Sequence, residues 1–208
     1  MTKIKKAIKQ LRKTIFYRTS HFWPDKMYLC ITYWLLMGGK LDLSNPKGFN
    51  EKLNWLKLYD RNPLFVRLAD KYEVKQFVAD VIGKEYVVPN LGVWDRIEDI
   101  DFDSLPNQFV IKGTHDSSGA TICRDKKSFD VQALAKKYEP IMNRNYFWMW
   151  REWPYKNIKP RVIADTFLDD HTAEGRSISL RDYKFWCFNG EPRYMYCTVK
   201  DKNIYENF

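Results

Sequence analysis

The sequence predicts an α/β or α+β protein with a helical first part, and three observations predict it. Up to about residue 84, apolar side chains recur at three- and four-residue spacing between proline and glycine signals, the pattern of helices. From about residue 85 the pattern changes to short apolar runs bounded by Gly, Pro, Asn and Asp, the pattern of strands. The 208 residues are 45% hydrophobic and 16% aromatic, too apolar for a disordered chain and enough for one core or one domain plus part of another. The expected divisions are a basic amphipathic segment over 1–26, a helical region over 27–84 and a core of strands and helix over 85–208.

The elements follow in order. Over residues 2–16, Ile4, Ala7, Ile8, Leu11 and Ile15 form one stripe with lysines and arginines opposite. Two readings stand: a terminal helix docked with a solvated basic face, or an interfacial helix on the anionic inner face of a membrane, reached through residues 1–20. Lys26–Met37 reads as a helix whose apolar face packs inward. Its apolar run, Met27–Leu36, falls short of the ~20 residues a bilayer needs, and Trp, Tyr and Gly-Gly-Lys stand where a signal peptide needs small cleavage-site residues. After the Ser44-Asn45-Pro46 turn, Asn50 is the expected N-cap of a helix with Leu53, Trp55, Leu56 and Leu58 on a wide apolar face. A further helix runs from about Pro63 to Val81, broken or kinked midway and closed by Gly83. In it, Lys71 and Lys75 are four apart on one face, and alone they read as a solvated helix surface.

Tyr86–Pro89 and Gly92–Trp94 read as short strands. Phe109–Lys112 is a buried-type strand with Ala120–Cys123 as its partner after a turn. Phe129–Ile141 is helical, with Val131, Leu134, Ala135 and Tyr138 on one face. Arg161–Leu168 is a strand. Asp182–Phe188 and Pro192–Val199 form a hairpin about Asn189-Gly190.

Charge and cysteine usage exclude several functions. The net charge is +9, yet residues 1–28 carry eight basic side chains against Asp25 alone, leaving a near-neutral body. No base-stacking or groove-reading element accompanies the arm, so nucleic acid is not an expected partner. Cys30, Cys123, Cys187 and Cys197 show no zinc spacing and read as reduced, buried thiols. His21, His115 and His171 form no H-x-x-x-H, and no metal ligands are assigned.

Chemistry concentrates in Phe109–Cys123. Lys112 ends an apolar strand, and Gly113-Thr114-His115-Asp116-Ser117-Ser118-Gly119 follows before a strand returns. Backbone donors, small side chains and a cation suit a phosphate group; an ordinary Ser- and Gly-rich hairpin turn would have the same composition. Asp182 and Lys184 share one strand face opposite Tyr183. Asp101-Phe102-Asp103 matches the D-x-D by which nucleotide-sugar glycosyltransferases hold a metal, but its acidic surroundings read as a solvated connector. Tyr146–Tyr155 is dense in aromatics, which suit a core or interface better than a sugar platform.

Longer motifs then emerge. They are Phe49-Asn50-Glu51-Lys52-Leu53-Asn54-Trp55-Leu56-Lys57-Leu58-Tyr59-Asp60-Arg61, Leu68-Ala69-Asp70-Lys71, Leu105-Pro106-Asn107-Gln108-Phe109-Val110-Ile111-Lys112, Arg151-Glu152-Trp153-Pro154-Tyr155-Lys156-Asn157 and Asp182-Tyr183-Lys184-Phe185. Together they resemble the TupA-like ATP-grasp family of bacterial polysaccharide and teichuronopeptide gene clusters. The likeness runs from about residue 27 to the C-terminus.

The resemblance implies an ATP-grasp-like core with mainly antiparallel sheets over 85–208 and ADP-forming carboxylate–amine ligase chemistry with ATP and Mg²⁺. Lys71 and Lys112 match the two ATP-holding lysines, and His115, Asp116, Ser117, Ser118 and Gly119 match the loop over the phosphates. Phe167 and Leu168 match the adenine hinge, with Asp165 and Asp169 or Asp170 near the adenine amino group or ribose. Lys184 matches the basic residue facing the terminal phosphate, so Lys112 and Lys184 are the expected catalytic cations. Ser118 stands where the family has the first of two glycines, and Asp165 where a Glu is usual. The family takes its metal-binding carboxylates from later strands, so the chain reads as a fragment or truncated product, its second subdomain incomplete. Implied partners are the nucleotide and carboxylate and amine substrates derived from sugar acids or amino acids. The implied place is cytoplasmic, peripheral on the inner membrane face.

Overall fold

A computed structural model describes residues 19–117, 119–171, 177–178 and 180–198. The expected helix over residues 2–16 and Ser118 lie outside them. The chain divides into two compact units, Met1–Asp165 and Thr166–Phe208.

Helices open the first unit. α1, Asp25–Met37, follows Pro24 and ends at Gly38, whose φ of 75° lets its N–H reach the Trp34 carbonyl. Only its Tyr28, Leu29 and Thr32 are buried, while Trp34, Leu36 and Met37 stay exposed. α2, Phe49–Tyr59, starts at Gly48 rather than at the expected cap Asn50. The Glu51 carboxylate reaches back to accept from the Lys47 and Gly48 N–H groups at 2.9 and 2.8 Å, satisfying the first turn without Asn50. On the apolar face of α2, Leu53, Trp55 and Leu56 stay partly exposed.

The long second helix is broken, as its midpoint suggested. α3, Leu64–Ala69, and α4, Glu73–Ile82, are separated at Asp70, which takes an extended backbone. Its Oδ1 accepts from the Tyr72 and Glu73 N–H groups at 2.8 and 3.2 Å and restarts the helix. Lys71 therefore lies in the break, not on a helix face with Lys75. Lys84–Tyr86 is a 3₁₀ turn, and Val87–Pro89 forms no strand.

Four strands then make one sheet in the order β1-β4-β2-β3, with β1 Asn90–Trp94, β2 Phe109–Gly113, β3 Thr121–Cys123 and β4 Val162–Thr166. β1 runs antiparallel to β4, and β2 to β3. The ladder is irregular between Asn90 and Gly92, where the Trp94 ring packs so closely on Gly92 that no Cβ fits. In β4 Val162 to Asp165 are all buried, as befits an interior strand. β2 alternates, burying Phe109, Ile111 and Gly113 and leaving Val110 and Lys112 half-buried on the other face.

α5, Val131–Met142, covers the core face. Its Leu134, Tyr138 and Ile141 join Phe109, Ile111, Val162 and Ala164, each large apolar side chain contributing about 1.5–3 kcal/mol on burial. Phe102, Phe109 and Phe129 close one end as an aromatic trio.

α6, Phe147–Trp150, ends at Arg151, which is wholly buried and has a φ of 56°. Its guanidinium lies 4.2 Å from the Tyr28 ring centroid and pairs with Asp25 at 2.6 Å. It also donates to the Ser20, Trp23 and Trp148 carbonyls. The aromatic segment is thus an internal joint that docks α1.

The second unit contains two antiparallel pairs among the described residues. One is β5, Asp170–His171, with β6, Ser177–Ile178; the other is β7, Asp182–Phe188, with β8, Glu191–Thr198. Asn189 and Gly190 turn the hairpin with φ of 52° and 81°, the left-handed pair that a tight two-residue turn requires. The helices and antiparallel pairs together form the mixed α/β fold the sequence predicts. All four thiols are free, but Cys123 alone is buried, a correction to the expected set. Among the described residues no helix is long and apolar enough to cross a membrane.

Candidate functional site

The break between α3 and α4 delivers Lys71 to the loop after β2. The Lys71 N–H donates to the Thr114 carbonyl at 3.1 Å, and the Thr114 N–H to the Arg161 carbonyl at 2.9 Å. The Lys71 ammonium donates to the Gly113 carbonyl at 3.1 Å and to the Asp116 carbonyl. Burial pushes its pKa below the ordinary lysine value, with the Asp116 charge opposing. Asp70, which makes the break, is buried and accepts from Arg161 at 2.9 Å, so the turn is rigidly held.

The expected phosphate loop has two parts. Thr114, His115 and Asp116 are buried. The His115 ring meets the Ile141 carbonyl through Nε2 at 3.0 Å, and Asp116 pairs with Arg144 at 2.5 Å. These side chains anchor the loop base to α5 and the segment after it. Ser117 and Gly119 are exposed, so the open part begins at Ser117.

Lys112 sits beside that base. Its Nζ donates to Asp165 Oδ2 at 3.0 Å, across neighbouring strands β2 and β4. Lys75, from α4, reaches Asp165 Oδ1 at 3.1 Å and the Val88 carbonyl at 2.7 Å. Asn90, opposite Asp165 in the β1–β4 ladder, donates its amide to the Ala164 carbonyl and to Asp165 Oδ1 at 3.0 and 3.3 Å. Lys71, Lys112 and Asp165 thus stand in one unit around the sheet and loop. Lys75, Asn90 and Arg144 join them although the sequence did not single them out as site residues; a lysine spaced for the break residue was the only signal.

The remaining expected residues belong to the second unit. Phe167 and Asp170 are half-buried, and Leu168 and Asp169 exposed. Asp170 takes a two-pronged ion pair from Arg181 at 2.6 and 2.9 Å. Lys184 pairs with Asp182 on the exposed face of β7. Asp101 and Asp103 are exposed, and Asp101 Oδ1 accepts from the Asp103 N–H at 3.1 Å, a local turn bond. Among the described residues no group of three His, Cys, Asp or Glu could hold a metal.

Comparison with known proteins adds to this geometry. No curated protein and no solved structure matches the chain. The family model TupA-like ATPgrasp matches residues 51–204, from α2 through the β7–β8 hairpin, which takes in Lys71, Lys112, the 113–119 loop and Lys184. Most of the chain is matched, and it belongs to the TupA-like ATP-grasp family.

Proposed function

We propose that the chain binds ATP and serves an ADP-forming carboxylate–amine ligation in the synthesis of cell-surface polysaccharide. Family membership supports the class of reaction, and Lys71 bonded to the base of the 113–119 loop, with Lys112 on the strand that leads into it, supports the place. Lys112 is the half-exposed cation at the strand end, free to exchange Asp165 for a phosphate oxygen. Lys71 fixes the loop base through two carbonyls. The exposed residues Ser117 and Gly119 would offer backbone N–H groups to the phosphates. Asp165, Phe167, Leu168 and Asp169 are the proposed adenine and ribose contacts, and Lys184 the second catalytic cation.

ATP supplies the γ-phosphoryl group: a carboxylate oxygen attacks it, ADP leaves, and an amine then displaces phosphate from the acyl phosphate. The lysines neutralise charge that builds on the transferring group. ATP-grasp proteins as a class also use Mg²⁺. The described residues offer it no carboxylate cluster, so no step here runs through it. Sugar-acid or amino-acid derivatives are the proposed carboxylate and amine. The proposed location is the cytoplasmic face of the membrane, held by residues 1–20.

Titration with a fluorescent ATP analogue tests the site. Lys112→Ala should weaken binding by about tenfold or more, the worth of one charge-assisted hydrogen bond. Equal affinity for the variant and the wild type would sink the reading.

A further inference from the structure

Resting on the nucleotide reading above, we propose that Lys75 is a positioning residue of that site: it holds the Asp165 carboxylate so that Lys112 is free to leave it for a phosphate. Asp165 is 2% exposed and accepts from both lysines, at 3.1 Å from Lys75 and 3.0 Å from Lys112. The two cations are not equivalent. The Lys75 side chain is 14% exposed, and its ammonium is spent on Asp165 and the Val88 carbonyl. The Lys112 side chain is 34% exposed, and Asp165 is its partner. Lys75 is the fixed member of the trio and Lys112 the exchangeable one.

Charge decides why two lysines are needed. A buried carboxylate left without a cation is strongly disfavoured. If Asp165 had Lys112 alone, each approach of Lys112 to a phosphate would strand that carboxylate, and its charge would repel the phosphate as well. With Lys75 in place, and Asn90 donating at 3.3 Å, Asp165 stays paired when Lys112 departs. One carboxylate between two ammonium groups also leaves a net positive cluster facing an incoming anion. Lys75 itself is too enclosed to reach the ligand, so it acts through Asp165.

The test uses the full chain and two probes, a fluorescent ATP analogue and inorganic tripolyphosphate, which lacks the adenine that Asp165 is proposed to meet. Lys75→Met should weaken both by about ten- to a hundredfold, the range for a charge-assisted bond. Lys75→Arg should keep most of the affinity. Adding Asp165→Asn to Lys75→Met should restore tripolyphosphate binding, because the carboxylate that detains Lys112 is gone; a merely structural lysine would not be rescued this way. Should Lys75→Met fail to fold, Asp165→Asn alone still decides: it should bind tripolyphosphate at least as tightly as the wild type. Unchanged binding in Lys75→Met, no rescue in the double variant, or a loss in Asp165→Asn matching that of Lys112→Ala overturns the role of Lys75 alone. A wild type that binds neither probe, or a Lys112→Ala variant that binds normally, overturns the nucleotide reading and this role with it.

Discussion

His115 lies at the loop base with 2% of its surface exposed, and its ring is held by the Ile141 carbonyl. Burial favours the neutral imidazole, so its pKa falls below the ordinary 6.5, against the Ile141 carbonyl and Asp116, which favour the charged ring, and with Lys71 and Arg144 adding to the fall. The unfolded chain then binds the proton more readily than the folded one. His115 therefore adds stability above pH 6.5 that is lost as pH falls through 6.5 toward its lowered folded value. His115→Gln keeps a donor for Ile141 and cannot titrate. Melting temperatures of the two proteins should run parallel above pH 7 and diverge below about 6.5, the wild type falling faster. Parallel curves down to pH 5 would show that His115 does not carry this dependence. Lys112 was legible from the sequence because strand alternation alone puts it on the face opposite Ile111. Lys75 was not, since a helix-face pattern cannot show that a break at Asp70 removes Lys71 from that face and leaves Lys75 to meet Asp165, which lies ninety residues later in the chain.

At the scale of elements, sequence periodicity located α1, α5, the β2–β3 pair and the β7–β8 hairpin, because each depends on local spacing and turn residues. It failed where a long-range partner decides. Val87–Pro89 has strand-forming residues but no ladder to join, and α2 leaves Leu53, Trp55 and Leu56 partly exposed. Arg151 shows the same limit more sharply. An arginine amid Tyr146–Tyr155 gives no hint that it will be fully buried, yet it joins α6 to α1 through Tyr28, Asp25 and the Ser20 and Trp23 carbonyls. Replacing it leaves three carbonyls and a carboxylate without their donor. Arg151→Met should cost about 1–3 kcal/mol in urea denaturation, the range for leaving buried acceptors without their donor, since Asp25 is 35% exposed and keeps contact with water. Arg151→Lys should recover little of this, because an ammonium cannot both fork to several oxygens and stack on the Tyr28 ring. A loss below about 1 kcal/mol, the worth of a surface pair, would mean that the joint does not hold α1.

At the scale of the whole molecule, charge is divided between an arm and a body. Residues 1–18 hold seven lysines and arginines and no acidic residue, while the rest of the chain supplies only +2 of the +9. Any long-range attraction to an anionic surface therefore belongs to those eighteen residues. Each basic side chain near such a surface contributes about 1 kcal/mol, and the field fades over about 10 Å at 0.1 M salt and about 3 Å at 1 M. The structure also fixes where an informative truncation ends. Thr19 Oγ1 accepts from the Trp23 indole at 3.1 Å, and the Ser20 carbonyl accepts from Arg151, so a cut beyond residue 18 would disturb the joint that docks α1. A chain lacking residues 1–18 keeps that joint, Lys71, Lys112 and the loop. The intact protein should sediment with phosphatidylserine-containing vesicles at 0.1 M salt and release at 1 M. The truncated chain should stay in solution at both salts yet bind the fluorescent ATP analogue as tightly as the intact one. Vesicle binding that survives the truncation would place the membrane contact on the body instead. Lost nucleotide binding would tie the arm to the ligase site, and either result would undo the division of labour that the charge distribution implies.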